Sequence, residues 1–206
     1  MIKKLSILGA GGHARSVVDL VEQSTQRFEI MGFFDPSFRI DSGEKICGYP
    51  ILGTEFIPAE SDLLVLASGD NHLRAEQFRK YFDFVVRQSI IHTSAKISAR
   101  ANIGLANLFF AGTIINAETV LGDNNIINSG CIIEHETSIG SNCHVSVGAI
   151  LAGRVRMGSY CFIGAGSVVI DKISICDNVI VGANSTVLRD INEPGVYVGT
   201  PARKIK

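Results

Sequence analysis

The chain has 206 residues, 46% of them hydrophobic, with nineteen Lys and Arg against twenty Asp and Glu for a net charge of −1. So even a balance excludes nucleic acid and anionic membrane as bulk partners, and no apolar run reaches the roughly 18 residues of a membrane span. A cytoplasmic globular protein of one large or two small domains is expected, and five cysteines without paired spacings argue against a disulfide framework.

The front of the chain alternates strand and helix. "KLSILGAGGHARSVVDLVEQ" reads as a buried strand, a glycine loop and an amphipathic helix. "FEIMGFFD" is a second strand ending in Asp35, "DLLVLASGDN" a third, "HLRAEQFRKYF" a helix and "DFVVR" a short strand. This order predicts a small Rossmann-like α/β domain with a parallel sheet over residues 1–88. Gly9-x-Gly11-x-x-Ala14 lies between strand and helix, where glycine lets backbone N–H groups approach a phosphate. Asp35 stands where a ribose-binding acid would. So short a domain has no room for the second half of a dinucleotide fold, so a nucleotide or nucleotide sugar fits better than NAD. Gly11, Gly12, His13, Asp35, Gly69 and Asn71 all fall at the carboxyl ends of strands, where parallel sheets bind ligands.

A different pattern runs from residue 89 to the end. Every sixth residue from Ile91 to Val187 is apolar, seventeen positions without exception, and the fourth residue after each is mostly small. An α-helix needs a period of three and four. Period six predicts a parallel β-helix in which three short strands and three turns close each triangular coil. Cys131, Cys143 and Cys161 take the small interior position and act as compact apolar residues.

"CIIEHETSIGSNCH" interrupts this scaffold with Glu134-His135-Glu136. His135 falls at a turn corner, outside the prism. Eighteen residues on, the same corner one coil away holds Gly153, so a histidine edge would face a notch wide enough for a thioester. Glu136 can accept a hydrogen bond from one imidazole nitrogen and leave the other as a general base. That pairing suits acyl transfer to an amine or hydroxyl. Glu134 reads as a solvated neighbour.

The two halves together resemble the PglD/NeuD-type sugar acetyltransferases, a branch of the left-handed β-helix acyltransferases. The resemblance spans essentially the whole chain and rests on "GAGGHAR", "GFFDP", "GYPILG", "IEHETSIGSNCHVSVGAILAG" and "GVYVGTPARKIK". It implies a left-handed helix, a homotrimer, and acetyl-CoA as cosubstrate in the cleft between adjacent β-helices. It implies that His135 is the catalytic base and Glu136 the acid that raises its basicity, and that His144, Gly153, Ala165 and Ala183 line the acetyl-CoA site. Pro36, beside Asp35 among the acceptor contacts, stands where the family can carry an acid. Arg203, Lys204 and Lys206 at the end of the chain could meet the CoA phosphates.

The expected function is N-acetylation of a nucleotide-linked 4-amino-sugar for glycan assembly. O-acetylation of sialic acid or a related sugar is the alternative, and a non-catalytic trimeric sugar-binding scaffold a remote one. A β-helix carbonic anhydrase would need three histidines on one zinc. The repeat holds only His92, His135 and His144, with His92 more than two coils from the others, so no metal is expected.

Overall fold

The computed structural model describes residues 2–37, 43–57 and 63–206. In the front part β1 (Lys3–Leu8), β2 (Phe28–Phe34), β3 (Lys45–Ile46), β4 (Tyr49–Gly53) and β5 (Leu63–Leu66) form one sheet in the order β3-β4-β2-β1-β5. All pairs are parallel except β3 with β4. That antiparallel pair was not anticipated; its turn, Cys47-Gly48, has both residues at positive φ, +50° and +86°, as a two-residue hairpin requires. "DFVVR" is not a strand: it contributes one bridge, Leu64 to Val85.

Two helices pack on this sheet. α1 (Gly12–Glu22) buries Ala14, Val17, Val18, Leu20 and Val21 and begins at Gly11, which gives no side-chain cap. Its first N–H groups therefore have no side-chain partner at the start of the helix. α2 (Asn71–Lys80) is capped by Asp70, whose carboxylate accepts from Leu73 N at 2.8 Å, and ends on Arg79 and Lys80, which complement the helix dipole.

The rest is a left-handed parallel β-helix. Residues eighteen apart pair in parallel, so the coils stack into three faces. The first, here the junction face, carries Ile90–Ile91, Leu108–Phe109, Ile126–Ile127, His144–Val145, Phe162–Ile163 and Val179–Val181. The second is an aliphatic face, on which Ile114, Ile132, Ile150 and Val168 stack outward in register. The third is a polar face carrying Asn102, Val120, Ser138, Arg156 and Ser174. Inside run the sixth-residue apolar side chains, from Phe109 through Ile133 and Leu151 to Val187, all 4% exposed or less. Cys131, Cys143 and Cys161 are fully buried among them, and burial pushes the Cys131 thiol up to about 12.

The corners explain the period. From Ala106 to Asn184 every sixth residue is left-handed, with φ between +53° and +70°. One edge uses Gly112, Gly130, Gly148, Gly166 and Asn184, which tolerate that conformation. The edge between aliphatic and polar faces uses Glu118, Glu136, Arg154 and Lys172, none of which does so readily.

The front domain lies on the junction face. Ile90, Leu108 and Ile126 share one buried cluster with Leu5, Val17 and Phe33.

Close coil contact predicts a sharp asymmetry. A Cβ on Gly140 would meet Ser159 N at 2.7 Å and Gly158 C at 2.8 Å. Cys176 takes the last place in the same column and is partly exposed. Chemical unfolding should show Gly140→Ala destabilised by about 1–3 kcal/mol through overpacking, and Cys176→Ala changed by less than about 1 kcal/mol.

Candidate active site

Neighbours in a strand point to opposite faces. The left-handed turn at Glu136 breaks that rule and folds its carboxylate back beside His135, with Nδ1 3.0 Å from Oε2. A carboxylate only accepts, so Nδ1 carries a proton, and in the neutral ring that tautomer leaves the Nε2 lone pair free. Arg154, one coil on, donates from Nε to the same Oε2 at 2.9 Å. The His135 hydrogen bond, then the Arg154 charge, hold Glu136 below the usual carboxylate range. The ring edge lies against Gly153, where a Cβ would come within 2.7 Å of Cε1 and 2.8 Å of Nε2. The His135 side chain is half exposed. The arrangement is an oriented imidazole with a free, accessible lone pair.

A second group of residues gathers at the carboxyl ends of β1, β2 and β5. β1 and β5 are neighbours reached by connections in opposite directions, the switch point at which open sheets bind ligands. Gly9 has φ +104° and sits against the Ala67 backbone, so only glycine fits. Gly11 and Gly12 have open space where side chains would be. Asp35 braces this loop: Oδ2 accepts from Ala10 N at 2.7 Å and Oδ1 from Ser37 N at 2.8 Å. Pro36 borders a neighbouring cleft of about 450 Å³ with Leu8, Phe56, Leu73 and Gln77.

The loop after β5 meets the β-helix. Asn71 is buried and its Nδ2 donates to Cys161 O at 3.0 Å, so its side chain is spent on the domain junction. Gly69 O faces His144 Nδ1 at 3.3 Å. His144 thus sits on the junction face beside His13, ring centroids 5.6 Å apart, and against Phe162. Arg74, which the sequence did not single out, lies behind both and is 1% exposed. Burial, and then neighbouring positive groups, lower His144 to about 3 and His13 to about 4. His13 Nε2 is buried without a hydrogen-bond partner.

Ala165 and Ala183 are exposed at the edge between junction and aliphatic faces. One protomer therefore distributes the expected residues over three places. His135, Glu136 and Gly153 share one edge. Gly11, Gly12, His13, Asp35, Gly69, Asn71 and His144 surround the domain junction. Ala165 and Ala183 lie on a second edge, so His144 groups with the glycine loop and apart from them. At the end of the chain, Lys204 pairs with Glu193 at 2.9 Å. Among the described residues no cluster of His, Cys, Asp or Glu could hold a metal, and no helix is long and apolar enough to cross a membrane.

The buried histidines set a stability window. Their folded pKa values lie below the unfolded value near 6.5, so between the two the unfolded chain binds more protons and stability falls as pH falls. The unfolding temperature should be steady above about pH 7 and drop from about pH 6 towards pH 4. Proton NMR should show both rings neutral down to about pH 5; either ring titrating with a midpoint near 6.5 would contradict the burial argument.

Comparison with known proteins agrees with this two-part fold. The PglD N-terminal domain matches residues 4–81, and the bacterial transferase hexapeptide family (six repeats) matches residues 154–189. No curated protein matches the chain. PerB from Caulobacter crescentus, solved in complex with CoA and GDP-perosamine, is 30% identical with a TM-score of 0.89, over 100% of this chain and 99% of its own. The acetyltransferase domain of PglB from Neisseria gonorrhoeae FA1090 is 27% identical with a TM-score of 0.90, over 98% of this chain and 100% of its own. With both halves matched in one continuous alignment, the chain belongs to the PglD/NeuD-type family of hexapeptide-repeat sugar acetyltransferases.

Proposed function

We propose that the protein is a cytoplasmic acetyl-CoA-dependent N-acetyltransferase whose acceptor is a nucleotide-linked 4-amino-sugar. The observation that carries this reading is the His135–Glu136 pair, an oriented imidazole with Nε2 over a glycine notch. PerB, 30% identical over the whole chain, binds CoA and GDP-perosamine, and PglB was also solved with acetyl coenzyme A, which supports the same pair of substrates here.

Residues 1–88 would hold the acceptor, with its diphosphate at the uncapped start of α1 against Gly11 and Gly12 and its ribose near Asp35 and Pro36. His13 Nε2, buried and unpartnered, is suited to a polar group of the acceptor. Residues 89–206 would hold acetyl-CoA, along Ala165 and Ala183. The amine lone pair attacks the thioester carbonyl carbon, and His135 Nε2 accepts the proton that the nitrogen loses. The tetrahedral intermediate then collapses, re-forming the carbonyl and breaking the C–S bond, and the leaving CoA sulfur takes the proton held on His135 Nε2, which returns the ring to its neutral form. Glu136 holds the ring and stabilises the imidazolium, while Arg154 fixes the carboxylate.

The site requires more than one copy. In a triangular prism the edge carrying His135 lies opposite the junction face, and the acceptor loops sit on that face. A homotrimer answers this if the aliphatic face, on which Ile114 is 37% exposed, packs against neighbours. The His135 edge of one copy then meets the Ala165–Ala183 edge of the next.

Acetyl-CoA consumption should be screened against amino-sugar nucleotides and free sugars. His135→Ala should lower kcat by about 10²–10⁴ with unchanged unfolding temperature and acetyl-CoA affinity, because removing an exposed corner side chain leaves no cavity. Glu136→Gln should cost less. Near-normal turnover by His135→Ala would sink the catalytic assignment, and turnover of sialic acid alone would replace N- by O-acetylation.

A further inference from the structure

Arg74 is the bulkiest fully buried side chain described in the molecule, and all five of its N–H donors end on uncharged oxygens. Nε donates to Asn124 O at 3.2 Å, one terminal nitrogen to Ser68 O and Asp70 O at 3.1 and 3.4 Å, and the other to Asn71 Oδ1 and Cys143 O at 2.9 and 3.0 Å. Two of these acceptors belong to the turn after β5, one to the first residue of α2 and two to the β-helix. An apolar side chain of similar volume would fill this space without desolvating a charge, so the guanidinium must return something that apolar packing cannot. What it supplies is directional bonding across the two domains.

The consequences can be followed atom by atom. With the Ser68 and Asp70 carbonyls held by Arg74, the Gly69 carbonyl between them is turned to His144 Nδ1. A carbonyl only accepts, so His144 carries its proton on Nδ1 and its Nε2 lone pair receives Asn128 Nδ2 at 3.2 Å. Asn128 is oriented in turn, because its Oδ1 accepts from Ser129 N at 2.8 Å. Ser129 stands in the corner column that runs from Ala111 through Val147 to Ala165 and Ala183 at intervals of eighteen residues. The bonds thus run from the acceptor turn to Ser129, two coils below Ala165 on the edge taken for acetyl-CoA.

We infer that Arg74 is a positioning residue for acetyl transfer, a buried fork that fixes the acceptor-binding turn relative to the acetyl-CoA edge through His144 and Asn128. The inference rests on the acetyltransferase reading above, and Arg74 itself touches neither substrate. It predicts a loss confined to the acceptor and to turnover, since misplacing bound reactants by about an ångström costs on the order of 10²-fold.

The test uses the full-length protein with Arg74→Lys, which keeps the charge and loses the fork, and Asn128→Ala, which cuts the relay and leaves the guanidinium bonded. Steady-state kinetics on the amino-sugar nucleotide would be run beside nitrogen NMR of the histidine rings. Arg74→Lys should lower kcat/KM for the acceptor by on the order of 10²-fold, leave acetyl-CoA affinity within about twofold, and convert His144 from a single Nδ1–H tautomer to a mixture. Asn128→Ala should lower acceptor kcat/KM about 10-fold at an unchanged unfolding temperature; it stands as the deciding variant if Arg74→Lys does not fold. Wild-type acceptor kinetics in the folded variants, or a loss that follows the unfolded fraction equally for both substrates, overturns the inference. An inactive wild type counts against the acetyl-transfer reading alone. An unchanged His144 spectrum in folded Arg74→Lys still overturns the relay.

Discussion

Each corner of the β-helix turns on one left-handed residue, and these residues recur every six positions from Ala106 to Asn184. The recurrence determines what the scaffold can display. It keeps the sixth-residue side chains inside, stacks equivalent positions one coil apart and gives the prism three straight edges. Two edges are built mostly from Gly and Asn, which accept the conformation. On the third, Glu118, Glu136, Arg154 and Lys172 adopt it, and such outliers gather where side-chain placement matters. At Glu136 the turn brings the carboxylate beside His135, an arrangement that an extended pair of neighbours cannot make.

The same prism separates the candidate base from the glycine loop of the front domain. Apolar burial joins the front domain to one face, through Ile90, Leu108 and Ile126, and a polar seam of Arg74, Asn71 and His144 fixes its register there. The candidate base stands on the opposite edge. Neither burial nor polar seam leaves room for the front domain to swing around to it. On the proposed function, assembly of several copies is a condition of activity, and the outward ladder of Ile114, Ile132, Ile150 and Val168 is the surface such an assembly would cover.

The repeat was legible because burial alone imposes it: an interior position tolerates only apolar or small side chains, so the period is printed in the sequence. His135, Glu136 and Gly153 could be related by adding eighteen, and the same arithmetic applied to Glu136 finds Arg154. The glycine loop was legible because Gly9 and Ala14 answer steric demands of the turn and of helix packing. Other features left no such mark. The hairpin of β3 and β4 turns on Cys47-Gly48, of which only the glycine is a turn signal. Arg74 bonds almost entirely to backbone carbonyls, which every residue possesses, so its partners cannot be read from side-chain identities. The pairing of His144 with Gly69 depends on how two domains dock, and no local pattern encodes that.

The central claim, that His135 of one copy serves the acceptor loop of another, is tested most directly by mixing two inactive proteins. His135→Ala lacks the base and keeps the loop; Gly11→Trp blocks the loop and keeps the base. Unfolded together in equal amounts and refolded, they should form mixed trimers in which about a quarter of the sites unite an intact base with an intact loop. Recovery of about a quarter of wild-type turnover is the predicted result. Mixed trimers no more active than either parent would contradict the account, because each site would then have been built within a single chain.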